Sequence, residues 1–510
     1  MPMQKNTDLL VLSAHAASHQ RNGEWRVRRP SAFNRRITGN TPCKLSGPVA
    51  GHALVKTAAD PSGMNVLGTL NNCAHGYTPW GTYLTCEENW NGYFSNETGD
   101  VVGEETEDRK FVIIKGQTRY GVVKGGFGYR WHEVDERFRA DLNPNEPNRF
   151  GWVVEIDPWN PQSTPIKRTA MGRFKHESAQ LVVDADDHVA FYQGDDERNE
   201  YVYKFVCAKK LDRRNRAKNR DMLDHGILYV AKFNADGSGV WLPLVWGENG
   251  LTPENGFADQ AEVLVKTRQA ADRLGATMMD RPEWAAAHPT TGEVYLTLTN
   301  NNRRGGNPPS SNQVDGTTNA GSARPPVDAA NPRHDNRYGH IIRWRDDMAK
   351  VTATAFEWDI FAECGDKLDA DAHHQGNING DDYGAPDGLW FDQDGRLWIQ
   401  TDQVGNATGD WKNIGGNTML CADPSTGETK RFLNSPKNCE VTGVISTPDG
   451  KTMFVGIQHP GEDWVNSYTQ NSTWPDSGIN GPTTFTGASP VKPRSGVVVI
   501  TKDDGGVIGS

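Results

Sequence analysis

The sequence has no apolar run long enough to span a bilayer. Helical periodicity is almost as scarce. One segment, from about Asp259 to Leu274, sets Ala261, Leu264, Val265, Ala271 and Leu274 along one side and meets Gly275 as a stop. The seven cysteines (43, 73, 86, 207, 364, 421 and 439) form no CxxC pair, which excludes a zinc ribbon and argues against a disulfide framework. Cys207, at the end of Tyr-Val-Tyr-Lys-Phe-Val-Cys, reads as core. There is no basic excess: 54 Lys and Arg face 65 Asp and Glu. The net charge of −11 argues against duplex nucleic acid and against an anionic membrane surface. An anionic substrate stays compatible, because local metal charge overrides the global balance. The Gly-x-x-x-x-Gly-Lys, His-Glu-x-x-His and Gly-x-Ser-x-Gly motifs are all missing. His132-Glu133 and His176-Glu177 lack a second histidine at helical spacing; His132 reads as structural and His176 as a residue that could orient Glu177. The first residues carry no secretory signal, so the chain is expected to be cytoplasmic or to begin downstream of a removed export segment.

What the chain does have is a motif and its repetition. In Tyr77-Thr-Pro-Trp-Gly-Thr-Tyr-Leu-Thr-Cys86-Glu87-Glu88-Asn89 a short strand leaves a Pro-Trp-Gly turn and ends in a thiol and two carboxylates. Alternation places Cys86 and Glu88 on one face and Glu87 on the other. Soft sulfur beside hard oxygen suits a transition metal with a hard cation next to it; a polar strand end with a buried cysteine fits the motif equally well. Four later segments share a pattern of carboxylate, short apolar run, Gly/Asp turn, aromatic-rich strand and polar exit residue. They run from Glu177 to Asp195, Glu283 to Asn300, Asp387 to Asp402 and Glu440 to His459, with 15 to 19 residues from opening to exit.

Repeats of this kind, with variation confined to the loops, predict an all-β fold of β-propeller type with a few inserted helices and long loops. Repeated carboxylates would converge, and cations would relieve their repulsion. The pairs Asp394-Gly395 and Asp449-Gly450 read as hairpin turns only. The Gly-, Pro-, Ser- and Asn-rich segment 302–335 reads as a mobile surface loop near the channel mouth, inserted into the third unit. Between Asp366 and Asp387 the oxygen density suits calcium, but the closing Glu of an EF-hand is missing; a solvated acidic loop is the alternative.

Thr78-Pro-Trp-Gly-Thr-Tyr-Leu-Thr-Cys-Glu-Glu-Asn89, Asp195-Asp-Glu-Arg-Asn-Glu-Tyr-Val-Tyr-Lys-Phe205, Arg281-Pro-Glu-Trp284 and Asp387-Gly-Leu-Trp-Phe391 resemble the PhoX-type alkaline phosphatases, over about Ser31 to Ile500. The resemblance implies a single six-bladed propeller domain over 1–510, and an Fe3+ and Ca2+ cluster that hydrolyses small phosphate monoesters and some diesters. It implies a periplasmic or secreted protein; a monomer is expected, with neither duplex nucleic acid nor a membrane as partner. It also implies that Cys86 binds iron with Glu87 or Glu88, that Glu177 and Glu283 complete much of the cluster, and that Arg281 grips the phosphate. Asp387, Asp402 and Glu440 follow as calcium ligands or their neighbours. A salt bridge to Glu283 is the plain alternative for Arg281. In the family a blade with an Asn-His-Glu motif is expected ahead of the point where this chain starts, and Leu9-Leu-Val-Leu-Ser-Ala-His-Ala has no acidic residue, so the expectation is an incomplete first blade. Two other readings stay open: a calcium-dependent propeller lactonase, which would not need Cys86, and a propeller whose metals only staple its blades.

Overall fold

The computed structural model describes residues 13–15, 18–21, 24–403, 407–463, 465–467, 469–476 and 492–510, and side chains from Trp25 onward. The segment Leu9–Ala16 thus lies largely outside the described residues. The chain divides into two compact units, one of residues 1–279, 307–325 and 346–356, the other of 280–306, 326–345 and 357–510. Strands dominate both. Among the described residues no helix is long and apolar enough to cross a membrane.

In the first unit, two antiparallel meanders follow one another. The first runs Asn72–Tyr77, Tyr83–Glu87, Val153–Ile156 and Ile166–Arg168; the second runs His176–Val183, Val189–Asp195, Val202–Cys207 and Gly226–Phe233. Their opening strands meet in parallel at Ala179 and Gly76. A Cβ on Gly76 would stand 2.2 Å from the Ala179 carbonyl oxygen, so only glycine allows this approach. The strand Val202–Cys207 is buried along its whole length, Cys207 included, as its apolar run predicts. Its lone cation, Lys204, donates to Asp346 at 2.9 Å and to the Ala353 carbonyl at 2.7 Å.

The second unit repeats the plan. Pro282–Ala287, Val294–Leu298, His340–Asp346 (in this unit up to Arg345) and Ala355–Glu363 (in this unit from Glu357) form one meander, and Pro386–Phe391, Leu397–Thr401, Thr418–Ala422 and Glu428–Asn434 the next. Glu440–Ser446, Thr452–Gln458 and Gly496–Thr501 form a three-stranded sheet. Among the described residues the sheets are open, with no closed barrel.

Helices depart from the sequence reading in two ways. The segment Asp259–Leu274 is two helices, Gln260–Val265 and Thr267–Leu274, broken at Lys266. Side-chain hydroxyls take the carbonyls that would continue the ladder: Thr267 Oγ1 donates to Leu264 O at 2.7 Å, and Tyr120 Oη, from outside the segment, to Val265 O at 3.1 Å. Asp259 caps the start through the Glu262 amide and Gly275 ends it at φ +66°, as read. A helix at Glu107–Arg119 has no amphipathic signal: Phe111 and Val112 are exposed, whereas Gln117 and Arg119 are buried.

Residues 302–335 correct the reading of a mobile surface loop. Backbone bridges join Ser310 to Arg324 and Asp328 to Asn331, and Arg304 is buried against Asp280 at 2.9 Å. Buried Arg333 donates to the Cys364 carbonyl at 2.6 Å. In the acidic loop, carboxylates cap their own backbone. Asp366, Asp369 and Asp371 accept from the amides of Leu368, Asp371 and His373, which accounts for its oxygen density without an ion.

Candidate metal centre

Each opening strand carries its metal-type residue at an irregularity. Pairing registers shift between Glu177 and Gln180, between Pro282 and Ala285 around Glu283, between Pro386 and Leu389 around Asp387, and between Val441 and Val444 just after Glu440. The extra residue of a bulge kinks the strand and re-aims the side chain beside it, which explains why bulges gather next to functional sites. In the second meander the kink is visible as a left-handed φ of +89° at Ser178.

The first meander obeys the same rule, with a different residue. Its opening strand shifts register between Cys73 and His75, so Cys73 takes the place that carboxylates hold elsewhere. Cys73 lies 15 residues before Glu88, within the 15 to 19 spacing of the other repeats. That spacing was the signal that could have found it; the Cys86-Glu87-Glu88 motif hid it. Ligand atoms of Cys73, Glu88 and Glu177 all lie within 4.8 Å of one another. Cys86 sits directly across the strand pair from Cys73 and is fully buried. Burial first, and then the Glu177 charge, push its thiol well above the ordinary range.

Glu87 has another role. Its carboxylate accepts from the Lys167 ammonium at 2.7 Å, from the amides of Gly151 and Trp152 at 3.0 and 3.1 Å, and from the Leu70 amide at 3.3 Å. Both oxygens are thus committed to protein donors, so of Glu87 and Glu88 only Glu88 stands with the thiol. We expect Glu87→Gln to lower stability by about 2 kcal/mol, because buried Lys167 loses its counter-charge. Bound metal per folded molecule should stay unchanged, which thermal unfolding and metal analysis of one preparation would check. His176 does not orient Glu177 through its ring: Nε2 meets the Gly172 carbonyl at 2.9 Å and the ring stacks on Phe174 at 3.7 Å. Burial pushes its pKa down to about 3, so it is neutral. His132 faces Glu97 at 3.3 Å, the structural role expected of it.

In the second unit, ligand atoms of Asp387, Asp402 and Glu440 also lie within 4.8 Å of one another. Asp402 closes the strand Leu397–Thr401, and Glu440 opens the strand that ends beside His459. Glu440 Oε2 accepts from Gln458 Nε2 at 2.8 Å and meets His459 Nε2 at 3.2 Å. Burial works against the His459 imidazolium, but Glu440 and Glu462 push its pKa up to about 9. Burial, and then Glu440, push Asp402 up to about 7. Arg281 reaches Glu283 Oε1 through Nη2 at 2.9 Å, the salt bridge weighed as its alternative, and its backbone holds φ +58°. A non-glycine residue held there is a strained position of the kind that clusters at functional sites.

The donor chemistry of each group fits metal. A thiol with two carboxylates suits a transition ion, and three buried or half-buried carboxylates suit a hard cation such as calcium.

The family model for alkaline phosphatase PhoX matches residues 12–461. The chain belongs to the PhoX alkaline phosphatase family. A solved structure of Pseudomonas fluorescens PhoX in complex with vanadate, a transition state analogue, is similar at 46% identity and a TM-score of 0.85, over 97% of this chain and 80% of that one. Polysaccharide lyase Uly1 is 12% identical over 55% of this chain and 48% of that one, with a TM-score of 0.24. The PQQ-bound aldose sugar dehydrogenase of Streptomyces coelicolor is 8% identical over 78% of this chain and 94% of that one, also at 0.24. A comparison with curated proteins found no match. Membership of the PhoX family makes the chain a metal-dependent phosphatase acting on phosphate esters.

Proposed function

We propose that the chain hydrolyses phosphate monoesters, and some diesters, at a cluster of iron and calcium. The observation that carries this is the pairing of a PhoX relative solved with vanadate, 46% identical, with two compact ligand groups of different softness in this chain. In the proposal the facing cysteines Cys73 and Cys86 supply sulfur to iron, with Glu88 and Glu177 beside them. Asp387, Asp402 and Glu440 hold calcium, and the family resemblance adds Glu283 to the ligands. The metals would neutralise phosphoryl charge and supply an activated oxygen nucleophile. The meanders are blades of a β-propeller, six in the full family fold, and the protein is exported; both rest on the family resemblance.

Phosphoryl transfer needs positioning and charge neutralisation more than covalent help from protein groups. Arg281 supplies a planar fork for two phosphoryl oxygens, and its bond to Glu283 fixes the guanidinium plane. Arg281→Lys keeps the charge and loses the fork. We expect kcat/KM to fall by about 10- to 100-fold with the unfolding midpoint unchanged. A fall in the midpoint without a fall in kcat/KM would assign Arg281 to structure alone.

The decisive assay measures turnover of p-nitrophenyl phosphate at alkaline pH, with iron and calcium quantified in the same preparation. Turnover that a calcium chelator abolishes, with iron bound, is the expected result. Cys73→Ser and Cys86→Ser, tested separately, should each lower bound iron. Metal-loaded protein without turnover would overturn the proposal.

A further inference from the structure

The net charge of −11 hides a strong local exception. Residues 26–36 (Arg-Val-Arg-Arg-Pro-Ser-Ala-Phe-Asn-Arg-Arg) hold five arginines and no acid. Residues 209–220 (Lys-Lys-Leu-Asp-Arg-Arg-Asn-Arg-Ala-Lys-Asn-Arg) hold seven basic residues and one aspartate. Twelve of the chain's 54 basic residues thus fall in two short stretches, far apart in sequence.

The first unit brings both stretches to one short loop, Asp157–Ser163. From one side Arg35 donates to Ser163 Oγ at 3.0 Å and to the Ser163 carbonyl at 2.6 Å. From the other side Arg216 donates to Asp157 Oδ1 at 2.7 Å and to the Trp80 carbonyl. Between them Trp159 ties its indole nitrogen to the Gly81 carbonyl at 3.0 Å, yet stays 69% exposed. Tyr77, at the end of its strand before the Thr78–Gly81 turn, is 58% exposed, and Phe33 is 47% exposed. The basic loop is held in shape from within. Asp212 accepts from the amides of Arg214 and Asn215, and Leu211 and Asn219 are buried. Lys210, Arg214 and Arg220 are exposed and make no ion pair among the described residues.

We propose that this face docks on an anionic phospholipid surface. Tryptophan and tyrosine sit well at the headgroup level, with the ring in the apolar zone and the polar edge in the wet one. Here the polar edge of Trp159 is already satisfied by protein. Basic side chains are attracted to an anionic leaflet within a Debye length of it, and a few exposed aromatics add a shallow apolar hold. A single-stranded nucleic acid would favour rings in series along one basic track. The rings here come from three separate segments, with cations on both flanks, which matches a flat charged surface better. The global charge argument against such a surface fails locally, because screening confines each charge to its own neighbourhood.

The test is co-sedimentation of the purified full chain with phosphatidylcholine vesicles, with and without about 30% phosphatidylglycerol. The expected result is association with the anionic vesicles only, released by about 0.5 M salt. A triple variant, Lys210→Glu with Arg214→Glu and Arg220→Glu, should weaken association more than about tenfold, while the unfolding midpoint and p-nitrophenyl phosphate turnover stay unchanged. Trp159→Ser, which reverses no charge, should weaken it by a smaller factor and serves if the triple variant does not fold. Equal association with neutral vesicles, no association with anionic ones, or undiminished association of both folded variants would overturn the proposal. So would preference for oligo-dT over anionic vesicles in competition.

Discussion

Arg119→Met should lower the thermal unfolding midpoint by roughly 5–10 °C, the expected size of a buried ion pair broken from one side at about 3–5 kcal/mol. The Arg119 guanidinium is fully buried between two carboxylates. It donates to Asp272 through Nε at 2.9 Å and Nη2 at 2.8 Å, and to Glu200 through both terminal nitrogens. Burial opposes its charge, but Asp272 and Glu200 raise its pKa well above the ordinary value. Next to it Arg268 donates to Asp195, and Tyr201 donates to Asp272 at 2.6 Å. Taking away Arg119 leaves buried Glu200 with Arg268, 3.6 Å away and already held by Asp195, and leaves buried Asp272 with the Tyr201 hydroxyl. Neither carboxylate can reach water without opening the unit. Scanning calorimetry of the variant, with wild-type metal content confirmed, checks the expectation; a midpoint within 1 or 2 °C, small beside about 3 kcal/mol, would refute it.

Stripping the metals should lower the midpoint further, by about 10 °C, since a site held at a thousandfold above its dissociation constant stabilises by about 4 kcal/mol. The pH dependence identifies the cause. Burial and Glu440 hold the folded-state pKa of Asp402 at about 7, against an ordinary 3.8. Between those values the folded protein keeps a proton that the unfolded chain has released. The native state therefore binds more protons, and stability falls as pH rises through that window. Metal-free protein should thus unfold at lower temperature at pH 8 than at pH 5. Added calcium, the cation proposed for this group, should remove most of that slope, because a cation takes over what the proton did. Asp402→Asn should flatten the slope in metal-free protein; a slope unchanged in that variant would place its origin elsewhere.

Much of the fold was legible because alternation and turn chemistry are local. The opening carboxylates Glu177, Glu283, Asp387 and Glu440 all head strands, and Asp394-Gly395 and Asp449-Gly450 do sit in turns. What failed depends on distant partners. Nothing local to Glu87 announces Lys167, eighty residues on, or the amides of Gly151 and Trp152. The break at Lys266 is made by Tyr120 and Thr267 acting on carbonyls, and Glu107–Arg119 is helical without an apolar face. Segment 302–335 read as a mobile surface loop because composition does not record that Arg304 meets Asp280. Cys73 was the one miss with a local signal, since it keeps the repeat spacing but breaks its chemistry.

The register shift at the head of each meander separates two properties that are usually fused. The backbone irregularity sets where a side chain points, and the ladder on either side sets how the sheet packs. Cys73 and Glu177 show that thiol and carboxylate can exchange at that point while the strands pair as before. On the ligand assignment proposed above, ion preference would therefore be adjustable one meander at a time, by single codons, in a scaffold that need not be rebuilt around each change.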